Sequence, residues 1–168
     1  MNLSVQPLTR EAFARFGDVI GTAGAPHSRI NQGNAERYRD LCRLEAGDSG
    51  RIVASIYRAQ PRALPFTVQT MERHPLGSQA FVPLDRRPYL VVVALPGPAP
   101  ARGDLVAFLA RGDQGVNYAA GVWHHPLLAL DAVSDFLVLE REGPGANCDE
   151  VTIEGSAVIR TLPVVPGA

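Results

Sequence analysis

Short strand-like segments separated by turn signals dominate this chain, and they leave few architectures open. Residues 51–58 alternate, with Ile52, Ala54 and Ile56 on one side and Val53, Ser55 and Tyr57 on the other. A period of two is what a strand with two unlike faces requires. Residues 66–72 repeat it, with Phe66, Val68, Thr70 and Glu72 pointing one way. Residues 89–95 are nearly continuous β-branched sequence, which reads as a strand buried on both faces. Further strands are expected at 2–8, 79–84, 105–110, 136–140 and 151–153. The helical signal is confined to 10–16, where Thr9 can cap, Glu11 occupies the first turn and Gly17 ends the helix. Phe13 and Phe16 would pin that helix to the core. Residues 21–33 and 96–102 read as loops, and the Pro-rich segment after 153 as an unstructured tail. Many short strands with little helix indicate an all-β sandwich or barrel. A chain of 168 residues with no internal linker is expected to form one domain, 1–168.

What the chain lacks narrows its chemistry. It contains no lysine; every basic side chain among its sixteen Lys and Arg positions is Arg. That excludes a Schiff-base lysine, a pyridoxal phosphate anchor and a phosphate-loop lysine. There is no Gly-rich dinucleotide fingerprint and no nucleophile elbow, so neither nucleotide nor flavin is expected. The net charge of −1 implies no basic face, which makes nucleic acid and anionic membrane poor partners. No DNA-binding helix pair is visible. The longest apolar run, 90–95, is too short to cross a bilayer. The first residues lack a basic stretch followed by an apolar core, so a cytoplasmic location is expected. Cys42 and Cys148 have neither metal nor disulfide spacing and read as free thiols. Catalysis must then use His, Glu, Asp, Tyr, Cys, Arg or a bound metal.

Two separated segments carry such groups. Glu72 and His74 are two apart, and on a strand that puts both on one face. Some forty residues later comes Gly121-Val122-Trp123-His124-His125-Pro126. His124 and His125 must point to opposite faces of a strand, and the spacing favours His124 for the interior. His125 reads as packed near the surface or bonded to a backbone carbonyl. Trp123 reads as core or dimer contact, or as a pocket wall. Arg58 ends a strand and could point into a barrel mouth, whereas Arg73 should point outward. Asn117 and Tyr118 precede the second motif and could line the same cavity. Asn31 is either a turn residue or reaches in from a loop.

The spacing resembles that of the cupin β-barrels. Their first motif is His-x-His, four residues, then Glu; a later Pro-x-Gly-x-x-His supplies a fourth ligand. Here Glu72 and His74 take the two histidine places, Gln79 replaces the Glu, Ala119 the Pro, and His124 falls at the fourth position. The resemblance implies a double-stranded β-helix (jelly-roll) barrel with a short N-terminal helix, and one inward cluster of Glu72, His74, Gln79 and His124. Two imidazoles and a carboxylate suit a divalent metal such as Ni, Zn or Mn. The same groups could instead do acid–base work without metal, or form a structural polar cluster.

A closer resemblance is carried by several blocks: Phe13 to Ile20, Arg58-Ala59-Gln60-Pro61, Glu72 to Leu84, Gly115-Val116-Asn117-Tyr118, Val122 to Leu127, and Asn147-Cys148-Asp149. In this order they resemble the ureidoglycolate lyase family of allantoin catabolism, a branch of purine metabolism. That resemblance implies a cupin-like barrel, usually a homodimer, cleaving (S)-ureidoglycolate to glyoxylate and urea. It suggests Glu72 or His124 as base, His74 holding a metal or orienting the substrate, Arg58 on the substrate carboxylate, and Gln79 and Asn117 on the urea end. Two alternatives stand beside it: another metal-dependent cupin enzyme acting on a small hydroxy acid, and a non-catalytic cupin that binds a metabolite.

Overall fold

The structure, a computed structural model, describes residues 1–163. In chain order it runs β1 (Val5–Pro7), α1 (Arg10–Phe13), β2 (Gly17–Ile20), β3 (Ser28–Ile30), β4 (Ala35–Arg37), β5 (Arg51–Ala59), β6 (Phe66–Arg73) and β7 (Gln79–Pro83). It continues with β8 (Tyr89–Ala94), β9 (Val106–Ala110), β10 (Gly115–Tyr118), β11 (Trp123–His124), β12 (Leu128–Ala129), β13 (Ser134–Glu142) and β14 (Asp149–Ile159). Seven strands form one sheet in the order β1-β9-β8-β11-β6-β14, with β12 also on β8. Five form a second sheet, β2-β10-β7-β13-β5, and β3 pairs only with β4.

Alternation along β8 explains how the layers assemble. Tyr89, Val91 and Val93 face the second sheet, where they join Phe81, Val116, Phe136 and Val138 in one core. Tyr89 meets Phe136 edge-on, with ring centroids 5.1 Å apart. Leu90, Val92 and Ala94 point the other way, into a second core with Val68, Met71, Trp123, Ile153 and Ile159. Each fully buried aliphatic side chain of this kind stabilises by about 1.5–3 kcal/mol. The first sheet curls around that second core, and a parallel bridge between Asn2 and Val158 brings its two ends together. The result is the all-β, cupin-like barrel that the motif spacing implied, with the strand at 89–94 buried on both faces as expected. Among the described residues no helix is long and apolar enough to cross a membrane.

Three sequence expectations need correction. The helix covers only Arg10–Phe13, capped by the Thr9 hydroxyl accepting from the Ala12 N–H at 3.2 Å. It stops early because β2 begins at Gly17, leaving only a turn through Phe16. The last strand does not end at 153 but runs to Ile159. Its register shifts between Thr152 and Ala157, so Glu154, Gly155 and Ser156 interrupt the alternation before Ala157 and Ile159 return to the core. The far end of the Pro-rich tail, 164–168, lies outside the described residues. Finally, the segment read as loop at 21–33 contains β3, half of a small hairpin.

Candidate active site

β11 carries only two residues, yet it fixes the site. Trp123 faces the core inside the first sheet, so His124 must face the second sheet. β11 pairs with β6 so that His124 lies directly opposite Glu72. The turn before it explains the glycine in the motif. The Val122 N–H donates to the Ala119 carbonyl at 3.1 Å, and Gly121 has φ +79°, which L side chains rarely adopt. The Gly121 N–H also donates to the His74 carbonyl at 2.9 Å, tying the two motifs together.

Four of the expected residues meet here. His124 Nε2 lies 3.5 Å from Glu72 Oε1 and 3.2 Å from Gln79 Oε1. His74, one residue beyond the end of β6, brings its Nε2 to 3.1 Å from the same Gln79 oxygen. Ligand atoms of Glu72, His74 and His124 all fall within 4.8 Å of one another, a triad able to hold a metal. Tyr118 backs the cluster, its ring stacked on His124 with centroids 4.2 Å apart.

The hydrogen bonds around the imidazoles decide what lies between them. His74 Nδ1 is 2.6 Å from the Asn147 carbonyl, and His124 Nδ1 is 3.0 Å from the Val122 carbonyl. A carbonyl only accepts, so each Nδ1 carries a hydrogen. Burial pushes the His124 imidazole down, against the opposing pull of Glu72, and favours its neutral form. A neutral ring has one N–H, so His124 Nε2 presents a lone pair. Burial alone would raise the Glu72 carboxyl, but at acid pH protonation of the neighbouring imidazoles, first of His124 through its hydrogen bond and charge, holds it below its usual range. Glu72 is therefore ionised at neutral pH. Lone pairs of Glu72, Gln79 and His124 thus converge, with His74 Nε2 beside them, and this set fits a divalent cation.

The cluster opens into a cavity of about 530 Å³ between the sheets, whose lining includes Tyr57, Arg62, Glu72, His74, Gln79 and Glu140. A hollow of about 570 Å³ elsewhere, lined by Arg10, Asp18, His27 and Tyr38, contains none of the cluster.

Other expected residues lie differently. Asn117 alternates with Tyr118, so its side chain turns away from the cavity to the other face of the sheet, where it stays buried; its Nδ2 donates to Asp18 Oδ2 at 3.1 Å and to the Arg43 carbonyl at 2.9 Å. It is not among the cavity-lining residues. Arg58 reaches the cavity rim, but both arms of its guanidinium are taken by Asp135, at 2.8 Å each. Arg73 points away from the cluster, as expected, onto Asp149 at 2.8 Å and over the Trp123 ring at 4.6 Å. Trp123 is core, and His125 packs on Phe66 with its Nδ1 2.7 Å from the Pro126 carbonyl. Asn31 lies in a short turn at φ +53°, outside the cavity lining. Cys42 and Cys148 are free thiols.

Sequence reasoning missed Glu140. It sits opposite Gln79 on β13 and accepts from Gln79 Nε2 at 3.1 Å, Ser55 Oγ at 3.1 Å and Tyr57 Oη at 3.0 Å. The available signal was the run Phe136, Val138, Glu140, in which an acid continues an otherwise apolar inward face. Burial, with Glu140 beside it, pushes the Tyr57 phenol up to about 12, so it stays a neutral donor.

A family model described as Ureidoglycolate lyase matches residues 1–160 of the chain. A protein of Burkholderia cepacia named ureidoglycolate lyase is 52% identical over 167 residues, covering 99% of this chain and 94% of its own. A namesake from Brucella abortus biovar 1 is 57% identical over 150 residues, 88% of each chain. Another, from Agrobacterium fabrum, is 56% identical over 150 residues, 88% of this chain and 89% of its own.

Proposed function

The chain belongs to the ureidoglycolate lyase family, and from that premise we propose that its cavity cleaves (S)-ureidoglycolate to glyoxylate and urea. The observation that carries the reading is the convergence of Glu72, His74, Gln79 and His124 on one accessible cavity.

The substrate carbon bears a hydroxyl, a carboxylate and a urea nitrogen. In the lysis the O–H and C–N bonds break, the carbonyl forms, and the leaving nitrogen gains a proton. One group that accepts and returns a proton is sufficient, with no electron sink and no covalent nucleophile. Glu72 is assigned as that group, because it is ionised and lines the cavity. It takes the hydroxyl proton and returns it to the urea nitrogen as the bond breaks. His124, absent from the lining, lies behind Glu72 with its Nε2 lone pair turned toward the same point. Glu72, His74, His124 and Gln79 would hold a divalent metal of the Ni, Zn or Mn type. Such a metal, when bound, polarises the hydroxyl and carboxylate oxygens.

The substrate carboxylate needs a guanidinium with free donors. The fork of Arg58 is filled by Asp135, whereas the Arg62 side chain lines the cavity without an ion pair among the described residues. Arg62 is therefore assigned to the carboxylate. Arg62→Met is expected to raise KM at least tenfold, the effect of losing a charged hydrogen bond of about 1.5–3 kcal/mol. Arg58→Met should change KM less than threefold. Steady-state kinetics on both variants checks this, and the reverse order would return the role to Arg58.

A homodimer in the cytoplasm belongs to the same reading. The outer face of the second sheet aligns Ile56, Leu137 and Val82 in one row, with Ile56 57% exposed. A second copy would cover that apolar row. Sedimentation at micromolar concentration should give the dimer mass, and a monomer would refute it.

The activity is tested by exhausting racemic ureidoglycolate with purified protein, with and without a chelator. Half of the racemate should be converted to glyoxylate, and prior chelation should abolish the rate. No glyoxylate above the uncatalysed background would overturn the reading.

A further inference from the structure

We propose that Glu140 is a positioning residue: by accepting the Gln79 amide hydrogens it turns the Gln79 carbonyl oxygen toward His74 and His124, making that oxygen a metal ligand. This rests on the metal-holding reading of the cluster.

The two ends of a glutamine amide have nearly the same shape, so their partners decide which way it faces. One end of Gln79 meets Glu140 Oε2 at 3.1 Å. The other meets His74 Nε2 at 3.1 Å and His124 Nε2 at 3.2 Å. The Glu140 carboxyl oxygens already accept from the Ser55 and Tyr57 hydroxyls, and the remaining oxygen capacity is met by a donor, so the end facing Glu140 is the NH₂ group. Glu140 is itself held by Ser55 and Tyr57 from β5 and by the register of β13 against β7. Two donors from the neighbouring strand β5 thus fix an acceptor whose remaining work is to take the Gln79 hydrogens.

The consequence is that the Gln79 amide has two arrangements. With its oxygen inward, the cluster offers only acceptors and suits a cation. With its NH₂ inward, it would donate to imidazole lone pairs and occupy the place of the cation. Glu140 selects the first.

The test is a metal titration, independent of turnover, using competition of Ni²⁺ or Zn²⁺ with a chromophoric chelator. Outer partners of metal ligands are worth about 10–100-fold in affinity. Glu140→Met should therefore weaken binding by that factor, with the far-UV circular dichroism unchanged. The same substitution is then made in a Gln79→Glu background. A carboxylate presents oxygen at both ends and needs no partner to orient it, so the effect of Glu140→Met should vanish there. An equal loss in both backgrounds means a general structural role and overturns the proposal, as does unchanged affinity in Glu140→Met alone. If the unsubstituted protein binds neither ion, the metal reading itself fails and this inference with it. Should Glu140→Met not fold, Glu140→Ala, which leaves room for water, is titrated in the same two backgrounds.

Discussion

Glu72→Gln is expected to lower kcat by about 10²–10⁴-fold, the usual contribution of a positioned acid–base group. The substitution keeps the size of the side chain and its place opposite His124 on β6. It removes the ability to take a proton and, with it, the negative charge that Glu72 would offer a bound metal. KM should change little, because the carboxylate of the substrate is assigned to Arg62. Thermal stability should be retained or slightly lowered, since a carboxyl held below its usual range is one whose charged form the fold favours. The pH profile offers an independent check. Because the His124 hydrogen bond and charge outweigh burial and hold the Glu72 carboxyl down, it stays ionised below the ordinary glutamate value of about 4.3. The acid limb of kcat/KM should then fall below that value, and a limb between pH about 6 and 7 would point to an imidazole as the base. Full activity in Glu72→Gln would remove Glu72 from the chemistry altogether.

The second large effect falls on folding. Gly17→Ala should lower the melting temperature by on the order of 10 °C. Gly17 opens β2 opposite Tyr118, with φ +145°. A Cβ built there would lie 1.8 Å from the Asn117 carbonyl oxygen, a backbone atom in the middle of β10. Relief requires β2 to withdraw from β10, the strand that carries Tyr118 against His124. Backbone strain and overpacking each cost about 1–3 kcal/mol. In a domain of this size each kcal/mol is worth about 2–4 °C. Differential scanning calorimetry reads the shift, and a change below about 2 °C would mean the β2–β10 contact is softer than it looks.

How much of this was legible beforehand depends on whether a residue speaks through local spacing or through register. The barrel was readable because alternation at 51–58 and the two-sided apolar run at 89–94 follow directly from where side chains point along a strand. Glu72, His74, Gln79 and His124 were readable because each lies in a short motif of fixed spacing. Arg58 and Glu140 were not, because their partners come from strand pairing across long separations. Arg58 meets Asp135 only through the β5–β13 register, 77 residues away, and Glu140 meets Gln79 only through β13–β7, 61 residues away. Asn117 illustrates a third limit. Its strand was the right one, but a face can be assigned only once a neighbour is fixed, and the stacking of Tyr118 on His124 turns Asn117 to the other face of the sheet.

The most direct test of the central claim is to identify both products at once by NMR after complete reaction of ureidoglycolate with the protein. Proton return from Glu72 to the leaving nitrogen yields glyoxylate and urea in equal amounts, with no ammonia, at a rate that collapses in Glu72→Gln. Ammonia released in step with glyoxylate, or product formed equally fast by Glu72→Gln, would contradict it.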